Sequence, residues 1–215
     1  MGRRPRFSRA EVEDAALAVL DDHGQPGLTL RAVAARLGTG PMTLYTYVDD
    51  RAGLEGCAVD AVLRAVRLPS APDPEEDWRA EALRIAEGVW RAVREHPQAV
   101  PLILARRSRS AAFLDIAEAL LAALSRGGLT GRRLLTAFRA VSTMATAFAQ
   151  TELAGPLSTP EGGGPGAAES TIARFRALPG DRYPRLVEIA GAARDSTPEA
   201  EFRAGMRALL DGLAR

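Results

Sequence analysis

Apolar residues recur along most of the chain with the three- and four-residue spacing that places them on one face of an α-helix. The first such stretch has a single apolar stripe, made of Val12, Ala16, Val19 and Leu20. Ser8 is a suitable N-cap for this helix, and Glu11 stands where it completes a capping box. Runs of alternating β-branched residues, the sign of strands, are almost absent. The pattern therefore predicts an all-α fold.

Two short helical segments follow and are separated by a glycine turn. Thr29 is a natural N-cap for the first of them, and Gly38 suits its end because glycine readily adopts a left-handed backbone conformation. The buried positions of this helix are Leu30, Val33, Ala34 and Leu37. The next helix is predicted over 43–48, with Leu44 and Val48 as its inward residues.

Longer helices make up the rest of the chain. They are predicted over 51–68, 74–95, 100–105, 110–125, 130–153, 168–177, 183–193 and 198–214. The proline-rich stretch 69–74 is the best domain boundary, and the Gly- and Pro-rich stretch 155–170 is predicted to be a loop. We therefore predict an N-terminal three-helix domain at 1–67 and a helical bundle at 68–215.

The bulk composition sets only broad limits on function. A chain of 215 residues with 47% hydrophobic and 26% charged residues is an ordinary globular protein. We expect neither a secretory signal nor a membrane span, because no apolar run is long enough. Cys57 is the only cysteine, so an intramolecular disulfide is excluded and a cytoplasmic location is the default expectation. The net charge of +1 does not by itself favour a nucleic-acid partner.

The order short helix, glycine turn, short helix is the geometry of a helix-turn-helix, whose second helix enters the major groove of DNA. With the apolar residues of both helices packed inward, the outward residues are Pro41, Met42, Thr43, Thr46 and Tyr47. Hydroxyl groups can bind base edges or phosphates, and apolar groups can contact a thymine methyl. The periodicity alone leaves a second interpretation open, a solvated turn between core helices.

The segment "LTLRAVAARLGTGPMTLYTYVDDRAGL" resembles the DNA-binding part of the tetracycline-repressor (TetR) family of bacterial regulators. The resemblance consists of a helix entered at "GLTLRAVAARLG", the sequence "TLYTYV", and a charged turn that leads into a further helix. It covers 8–66, and the helical remainder is similar, more weakly, to the ligand-binding half of that family. The resemblance implies a regulator, typically a repressor, that binds a palindromic operator in double-stranded DNA as a homodimer. It also implies a small-molecule effector that releases the DNA.

The resemblance further implies a role for individual residues of this region. Arg31 would read a base, guanine in particular, through its two-pronged guanidinium group. Major-groove contacts are implied for Pro41, Met42, Thr46 and Tyr47. Backbone-phosphate contacts, which set the register of the protein on DNA more than its sequence preference, are implied for Thr43, Tyr45 and Arg51.

The charge of this region departs from the family pattern. The turn after the third helix is usually basic in the family, whereas here it reads "VDDR" and contains Asp49 and Asp50. These carboxylates should lower DNA affinity unless they serve only to cap the fourth helix. Residues 1–67 contain nine Arg and nine Asp plus Glu, so we expect moderate and strongly salt-dependent binding. The N-terminal arginines could add phosphate or minor-groove contacts or could form only a soluble tail; they are Arg3, Arg4 and Arg6.

For the larger half, the resemblance implies a ligand pocket. The metal-bound drug site of the tetracycline repressor uses His and Glu side chains, whereas the matching positions here carry Ile103, Thr143 and Thr151. We therefore expect no metal or other cofactor, and a small, mostly apolar organic effector. The candidate effector contacts are Trp90, Phe113, Thr143, Met144, Phe148 and Gln150. Residues of this kind at helical spacing are more often plain core, and that interpretation stays open.

A dimer interface is the second feature that the resemblance implies for the larger half. It would be formed by the helices predicted over 130–153 and 198–214. Their apolar residues are Leu134, Leu135, Phe138, Met206, Leu209, Leu210 and Leu213. An all-core placement explains these residues equally well.

Two other classes of function compete with a regulator. An enzyme would need a nucleophile with a base, or a metal site, and no such constellation can be assembled; Cys57 has no histidine near it in sequence. The glycine-rich "PEGGGPG" lacks the lysine and the following helix of a phosphate-binding loop. The remaining alternative is a helical protein that binds or sequesters a small molecule without regulatory DNA binding.

Overall fold

The computed structural model describes residues 6–68, 75–154 and 167–213. The secondary structure of these residues is helical, and the predicted all-α fold is confirmed. In chain order the helices are α1 (Arg9–Gly27), α2 (Leu30–Arg36), α3 (Pro41–Leu44), α4 (Arg51–Arg64), α5 (Trp78–Arg94), α6 (Val100–Arg106), α7 (Ala111–Arg126), α8 (Gly131–Ala154), α9 (Ala167–Arg176), α10 (Pro184–Ala193) and α11 (Pro198–Leu213). Short 3-10 turns at Pro97–Ala99 and Arg107–Arg109 flank α6. In this described part, no helix combines the length and apolar character needed to cross a membrane.

Contacts within the chain define two compact units. Unit 1 comprises 1–74 and 95–122, and unit 2 comprises 75–94 and 123–215. The N-terminal unit therefore includes 95–122, which the sequence assigns to the second domain. The predicted division at 67/68 stays a prediction.

Helix α1 begins where the capping box predicts. The Ser8 hydroxyl accepts a hydrogen bond from the Glu11 backbone N–H at 3.2 Å, and the Glu11 carboxylate accepts one from the Ser8 N–H at 2.7 Å. The hydrogen bond from the Ser8 backbone lowers the pKa of Glu11 below its usual value. Helix α1 packs against α2 and α4, and α2 packs against α3. The stripe that makes these contacts is closed to solvent, since Val12, Ala16 and Leu20 are 0% exposed.

Two glycines have a left-handed backbone conformation, one inside α1 and one after α2. Gly24 has a φ of 65° and interrupts α1, which then continues for one turn through Pro26. Gly38 has a φ of 63°, and a Cβ added there would meet nothing within 4 Å. The backbone conformation, and not a lack of space, therefore favours glycine at position 38.

The third helix differs from its predicted span. It is a single α-helical turn at Pro41–Leu44, and the chain then continues as a turn in which the Tyr47 N–H donates to the Leu44 carbonyl at 2.8 Å. Proline favours the first helical position because its φ is already helical and that position needs no N–H donor. The prediction of a helix over 43–48 is therefore wrong in its bounds.

The ends of two neighbouring helices also need correction. Asp50 caps α4 as predicted, since its carboxylate accepts a hydrogen bond from the Gly53 N–H at 2.8 Å, but α4 ends at Arg64 and not at 68. Helix α5 begins at Trp78 and not near 74. The Asp77 carboxylate accepts a hydrogen bond from the Arg79 N–H at 3.1 Å at that start.

Unit 2 is built on three mutually packed helices, α5, α8 and α11, while α9 packs on α10. Arg203 of α11 donates two hydrogen bonds to the Glu87 carboxylate of α5, at 3.0 and 2.6 Å. These hydrogen bonds lower the pKa of Glu87. Gly127 allows close packing near the start of α5, because a Cβ added there would lie 2.5 Å from the Trp78 ring.

Candidate functional site

Helices α2 and α3 and the turn between them have a closed inner face. The Thr29 hydroxyl caps α2 by accepting a hydrogen bond from the Ala32 N–H at 3.2 Å. Val33 and Leu44 are 0% exposed, and Val48 is 5% exposed. These inward residues are ones that the apolar pattern predicts, whereas two others of the predicted set, Leu30 and Leu37, are only partly buried.

The outer face of α3 is open to solvent. Met42 is 77% exposed and Tyr45 is 49% exposed, although both are large and mostly apolar. Pro41 and Thr46 are exposed beside them. Arg31 is exposed near the start of α2, and its guanidinium has no hydrogen-bond or ion-pair partner among the described residues. This face therefore combines apolar, hydroxyl and cationic groups that are free to contact another molecule.

Thr43 and Tyr47 are only partly exposed. The Thr43 and Thr39 hydroxyls are hydrogen-bonded to each other at 3.0 Å. The Tyr47 hydroxyl accepts a hydrogen bond from the Phe7 N–H at 2.8 Å and donates one to the Phe7 carbonyl at 2.8 Å. The Tyr47 hydroxyl therefore binds the N-terminal segment in the structure, whereas the resemblance implies that Tyr47 contacts the major groove.

Arg51 is the first residue of α4 and is held from two sides. Its guanidinium donates to the Gln25 carbonyl at 2.6 Å and lies 3.3 Å from the Glu55 carboxylate. The Arg51 side chain is still 51% exposed, so part of the guanidinium remains open to solvent. Glu55 itself is buried and also pairs with Arg106, at 2.5 Å.

The N-terminal arginines are only partly within the described residues. Arg6 lies beside the α2–α3 turn, where it donates to the Thr39 hydroxyl and the Gly38 carbonyl, both at 3.4 Å. Arg3 and Arg4 lie outside the described residues.

Six acidic side chains among the described residues of unit 1 are paired with Arg or His side chains of the same unit. Glu13 pairs with Arg9 at 2.8 Å and also with Arg64. The other pairs are Asp22–Arg36, Asp14–Arg64, Asp60–Arg9, Glu55–Arg106 and Asp21–His96. Arg31 has no such partner among the described residues, so its positive charge stays on the outer face of α2. Asp49 is different, because it is exposed and has no partner within the described chain.

Three aromatic rings of unit 2 form a compact cluster, which we call the aromatic cluster: Trp90, Phe148 and Phe202. Trp90 is stacked on Phe202, with ring centroids 4.9 Å apart and an interplanar angle of 11°. Phe148 meets both of these rings edge to face, at 6.1 and 5.5 Å. Trp90 and Phe202 are 0% exposed. Phe202 did not follow from the sequence, because its only signal was one more apolar position of a predicted helix.

The other predicted effector contacts do not join this cluster as a group. Met144 of α8 is half-buried and approaches Gly205 of α11, where an added Cβ would lie 2.7 Å from its methyl group. Thr143 and Gln150 are exposed. Phe113 belongs to unit 1, and the Arg107 guanidinium lies 5.5 Å from the centre of its ring. The structure thus brings together Trp90 and Phe148 only.

The apolar residues predicted for a dimer interface divide into two groups. Met206 and Leu210 are at most 1% exposed, so they are core residues, and their predicted place in an interface is wrong. Leu135 is 47% exposed. The remaining residues are partly exposed; they are Leu134, Phe138, Leu209 and Leu213.

The chain's one thiol is held in the protonated form. Cys57 in α4 is 0% exposed, and burial raises its pKa to about 11. A thiol with this pKa is a poor nucleophile at neutral pH. Within the described residues, no group of three or more His, Cys, Asp or Glu side chains is placed to hold a metal ion.

Comparison with known proteins decides the family. The family model described as "Tetracyclin repressor-like, C-terminal domain" matches residues 71–215, which is more than half of the chain. The chain belongs to the tetracycline-repressor family. The predicted family is thereby confirmed.

Relatives of the tetracycline-repressor family match other lengths of the chain. The HTH-type transcriptional repressor DrrR1 of Streptomyces coeruleorubidus is 30% identical over 152 residues, covering 71% of this chain and 56% of that protein. The chain thus spans little more than half of that relative. The tetracycline repressor protein class A from transposon 1721 of Escherichia coli is 26% identical over 201 residues, covering 94% of this chain and 88% of that protein. Among solved structures, the transcriptional regulator SCO7222, a TetR from Streptomyces coelicolor, has a TM-score of 0.78 at 26% identity, covering 97% of this chain and 98% of that one.

Proposed function

We propose that the chain is a transcriptional repressor that binds a palindromic DNA operator as a homodimer and leaves it when a small organic effector binds. The observation that carries this proposal is the outer face of α2 and α3, where Met42 is 77% exposed and Arg31 has no partner within the described chain. A soluble protein has little reason to expose such groups on a helix-turn-helix unless they contact a ligand. The repressors DrrR1 and class A, to which the chain is similar, support the same reading.

The roles on DNA that the family resemblance implies complete this proposal. Arg31 reads a guanine through its guanidinium group, and the exposed apolar and hydroxyl groups of Pro41, Met42 and Thr46 contact base edges in the major groove. Phosphate contacts belong to Thr43, Tyr45 and Arg51. No step of this function needs a catalytic group or a cofactor.

Substitution of Arg31 tests DNA recognition. In a gel shift with the DNA upstream of the chain's own coding sequence, Arg31→Ala should weaken binding by about ten- to a hundredfold, because one two-pronged base contact is lost. The control is Arg185→Ala, which removes the same charge from α10, where Arg185 pairs with Glu188 and is 88% exposed. Equal binding by Arg31→Ala and the control would contradict the assignment of Arg31 to the interface.

The effector is expected at the aromatic cluster in unit 2. Trp90 and Phe202 are stacked and fully buried there, so an apolar, ring-containing compound would replace one ring contact with another. Of the predicted contacts, this proposal retains Trp90, Met144 and Phe148, because Thr143 and Gln150 are exposed and Phe113 belongs to unit 1.

Tryptophan fluorescence tests the effector site, because the chain has only two tryptophans. Titration with uncharged aromatic compounds should change the emission of the Trp78→Phe variant, which keeps Trp90, and should leave the emission of Trp90→Phe unchanged. The two variants form a matched pair, since each removes one indole of α5. Calorimetric binding of strongly charged, hydrophilic compounds alone would count against an apolar effector.

A further inference from the structure

A single hydroxyl group fastens the N-terminal segment to the end of the DNA-facing turn. The Tyr47 hydroxyl accepts a hydrogen bond from the Phe7 N–H and donates one to the Phe7 carbonyl, each at 2.8 Å. Both polar groups of the Phe7 backbone are thereby satisfied by one side chain. These hydrogen bonds join residues forty positions apart, and Phe7 lies just before the first residue of α1.

Contacts on both sides of Phe7 extend this attachment. The Arg9 guanidinium donates to the Tyr47 carbonyl at 3.0 Å. On the other side, the Arg6 guanidinium lies 3.4 Å from both the Thr39 hydroxyl and the Gly38 carbonyl, and 5.3 Å from the centre of the Phe7 ring. The segment from Arg6 to Arg9 therefore runs beside α3, from the turn that precedes this helix to the turn that follows it.

The Arg6 guanidinium is well placed to contact an anion. Arg6 is exposed, its two contacts are long for hydrogen bonds, and no carboxylate of the described chain lies within ion-pair distance of it. The Thr39 hydroxyl beside it is bonded to Thr43, which we assign to a phosphate contact. A guanidinium that is already held at such a position loses little conformational freedom when it binds.

We propose that Tyr47 acts in DNA binding as a positioning residue: its hydroxyl fixes Phe7 and so holds the Arg6 guanidinium beside the α2–α3 turn, where it binds a backbone phosphate. This role rests on the proposed function. It differs from a base contact by Tyr47, because the hydroxyl is already committed to the Phe7 backbone and does not touch the DNA. Removing the hydroxyl should therefore affect DNA only through Arg6.

A double-mutant cycle separates action through Arg6 from direct contact. The probe is a mixed-sequence DNA duplex of about 30 base pairs at low salt, because phosphate contacts do not depend on sequence. Tyr47→Phe should weaken binding by about fivefold and lower the slope of log affinity against log salt by about one. In the Arg6→Ala background, Tyr47→Phe should cause no further loss.

Tyr45→Phe is the matched control for the cycle. It removes the same hydroxyl from a neighbouring tyrosine that is 49% exposed and that we assign to a direct phosphate contact. Its effect should therefore persist in full in the Arg6→Ala background. An equally persistent effect of Tyr47→Phe would overturn the proposal, because the Tyr47 hydroxyl would then contact DNA itself.

A measurement without DNA tests the attachment directly. Tyr47→Phe should speed hydrogen exchange at the Phe7 amide by about fivefold or more, because that N–H loses its acceptor. Arg6→Ala should leave the exchange rate of the Phe7 amide near the wild-type value. Unchanged exchange at Phe7 in Tyr47→Phe would overturn the proposal even if DNA affinity fell.

Failure of the proposed function gives a different result. In that case the wild-type chain would bind its own upstream fragment no better than the mixed-sequence duplex, Arg31→Ala would have no effect, and the role of Tyr47 in recognition would fail with it. Failure of the Tyr47 role alone would show as additive effects in a chain that does prefer the upstream fragment.

Discussion

Two adjacent aspartates after α3 have different surroundings. The Asp50 carboxylate accepts a hydrogen bond from the Gly53 N–H and caps α4, so its negative charge stabilises the N-terminus of that helix. Asp49 is exposed and has no partner in the described part of the chain. Only Asp49 therefore contributes an uncompensated negative charge next to the outer face of α3.

Substitution of Asp49 should strengthen DNA binding. Asp49→Asn removes a charge that repels phosphates, and we expect about two- to fivefold tighter binding at low salt, with the gain disappearing at high salt. Fluorescence anisotropy with a labelled duplex measures this change. Asp50→Ala should instead lower the free energy of unfolding by about 1 kcal/mol, because α4 loses its cap. A stability loss from Asp49→Asn, or no change in its affinity, would contradict this division of roles.

Single residues also show where sequence reasoning reached its limit. The capping residues Ser8, Thr29 and Asp50 could be predicted because a cap needs only groups within three residues of one another. The attachment of Tyr47 to Phe7 could not, because it joins two segments distant in sequence and leaves no periodic signal. The same is true of the Trp90–Phe202 stack.

Helices α5 and α11 are joined by ion pairs as well as by packing. Arg203 binds both oxygens of the Glu87 carboxylate, and Arg91 contacts the same carboxylate at 2.5 Å. The Arg94 guanidinium pairs with Glu199 at 2.8 Å and lies 4.8 Å from the centre of the Trp90 ring. These contacts border the aromatic cluster and hold the helices that form it.

The pairing of Glu87 should make stability depend on pH in the acid range. Its hydrogen bonds with Arg203 lower its pKa from the usual 4.5, so the folded state favours the charged form. The stabilisation is complete above the usual value and is lost as the pH falls through the folded-state pKa. Glu87→Gln should lower the free energy of unfolding by about 1 kcal/mol at neutral pH and flatten its decline below that usual value. Urea unfolding at a series of pH values measures both effects, and parallel declines for wild type and variant would exclude Glu87 as a source.

Helix identity was more predictable than helix bounds. The apolar repeats predict helices where α1, α2 and α4 to α11 are observed, because amphipathic periodicity extends over several turns. Helix α3 was misplaced because one turn contains too few apolar positions to define a period, and Pro41 set its start. The start of α5 was placed too early because the pair Asp73 and Pro74 gave a local start signal, whereas the helix begins at Trp78.

The proposed homodimer needs an apolar surface that a single chain leaves open. Helix α8 exposes Leu135, at 47%, and partly exposes Leu134 and Phe138. Helix α11 partly exposes Leu209 and Leu213. Because Met206 and Leu210 are closed within the chain, the interface must use this outer stripe and not the full apolar set of α11.

A charge introduced on that stripe should separate the protomers. Leu135→Arg is expected to raise the dimer dissociation constant by about thirtyfold or more, because a buried guanidinium without a partner replaces an apolar contact. Sedimentation equilibrium measures the change, and operator affinity should fall with it. Leu114→Arg serves as the control, since Leu114 is 57% exposed on α7, outside the proposed interface. A dimer that tolerates Leu135→Arg as well as Leu114→Arg would argue against α8 as the interface.

The buried thiol of Cys57 makes it possible to measure how often unit 1 opens around α4. A thiol reagent reaches this side chain only when α4 moves away from its neighbours, because Cys57 is 0% exposed in the closed state. The labelling rate therefore follows the population of opened unit 1 molecules, and no second cysteine competes for the reagent. DNA that binds only the closed form must slow that labelling in proportion to the fraction of protein bound. The affinity for DNA can therefore be measured in solution from the rate of reaction with a chromogenic thiol reagent, without a label on either partner.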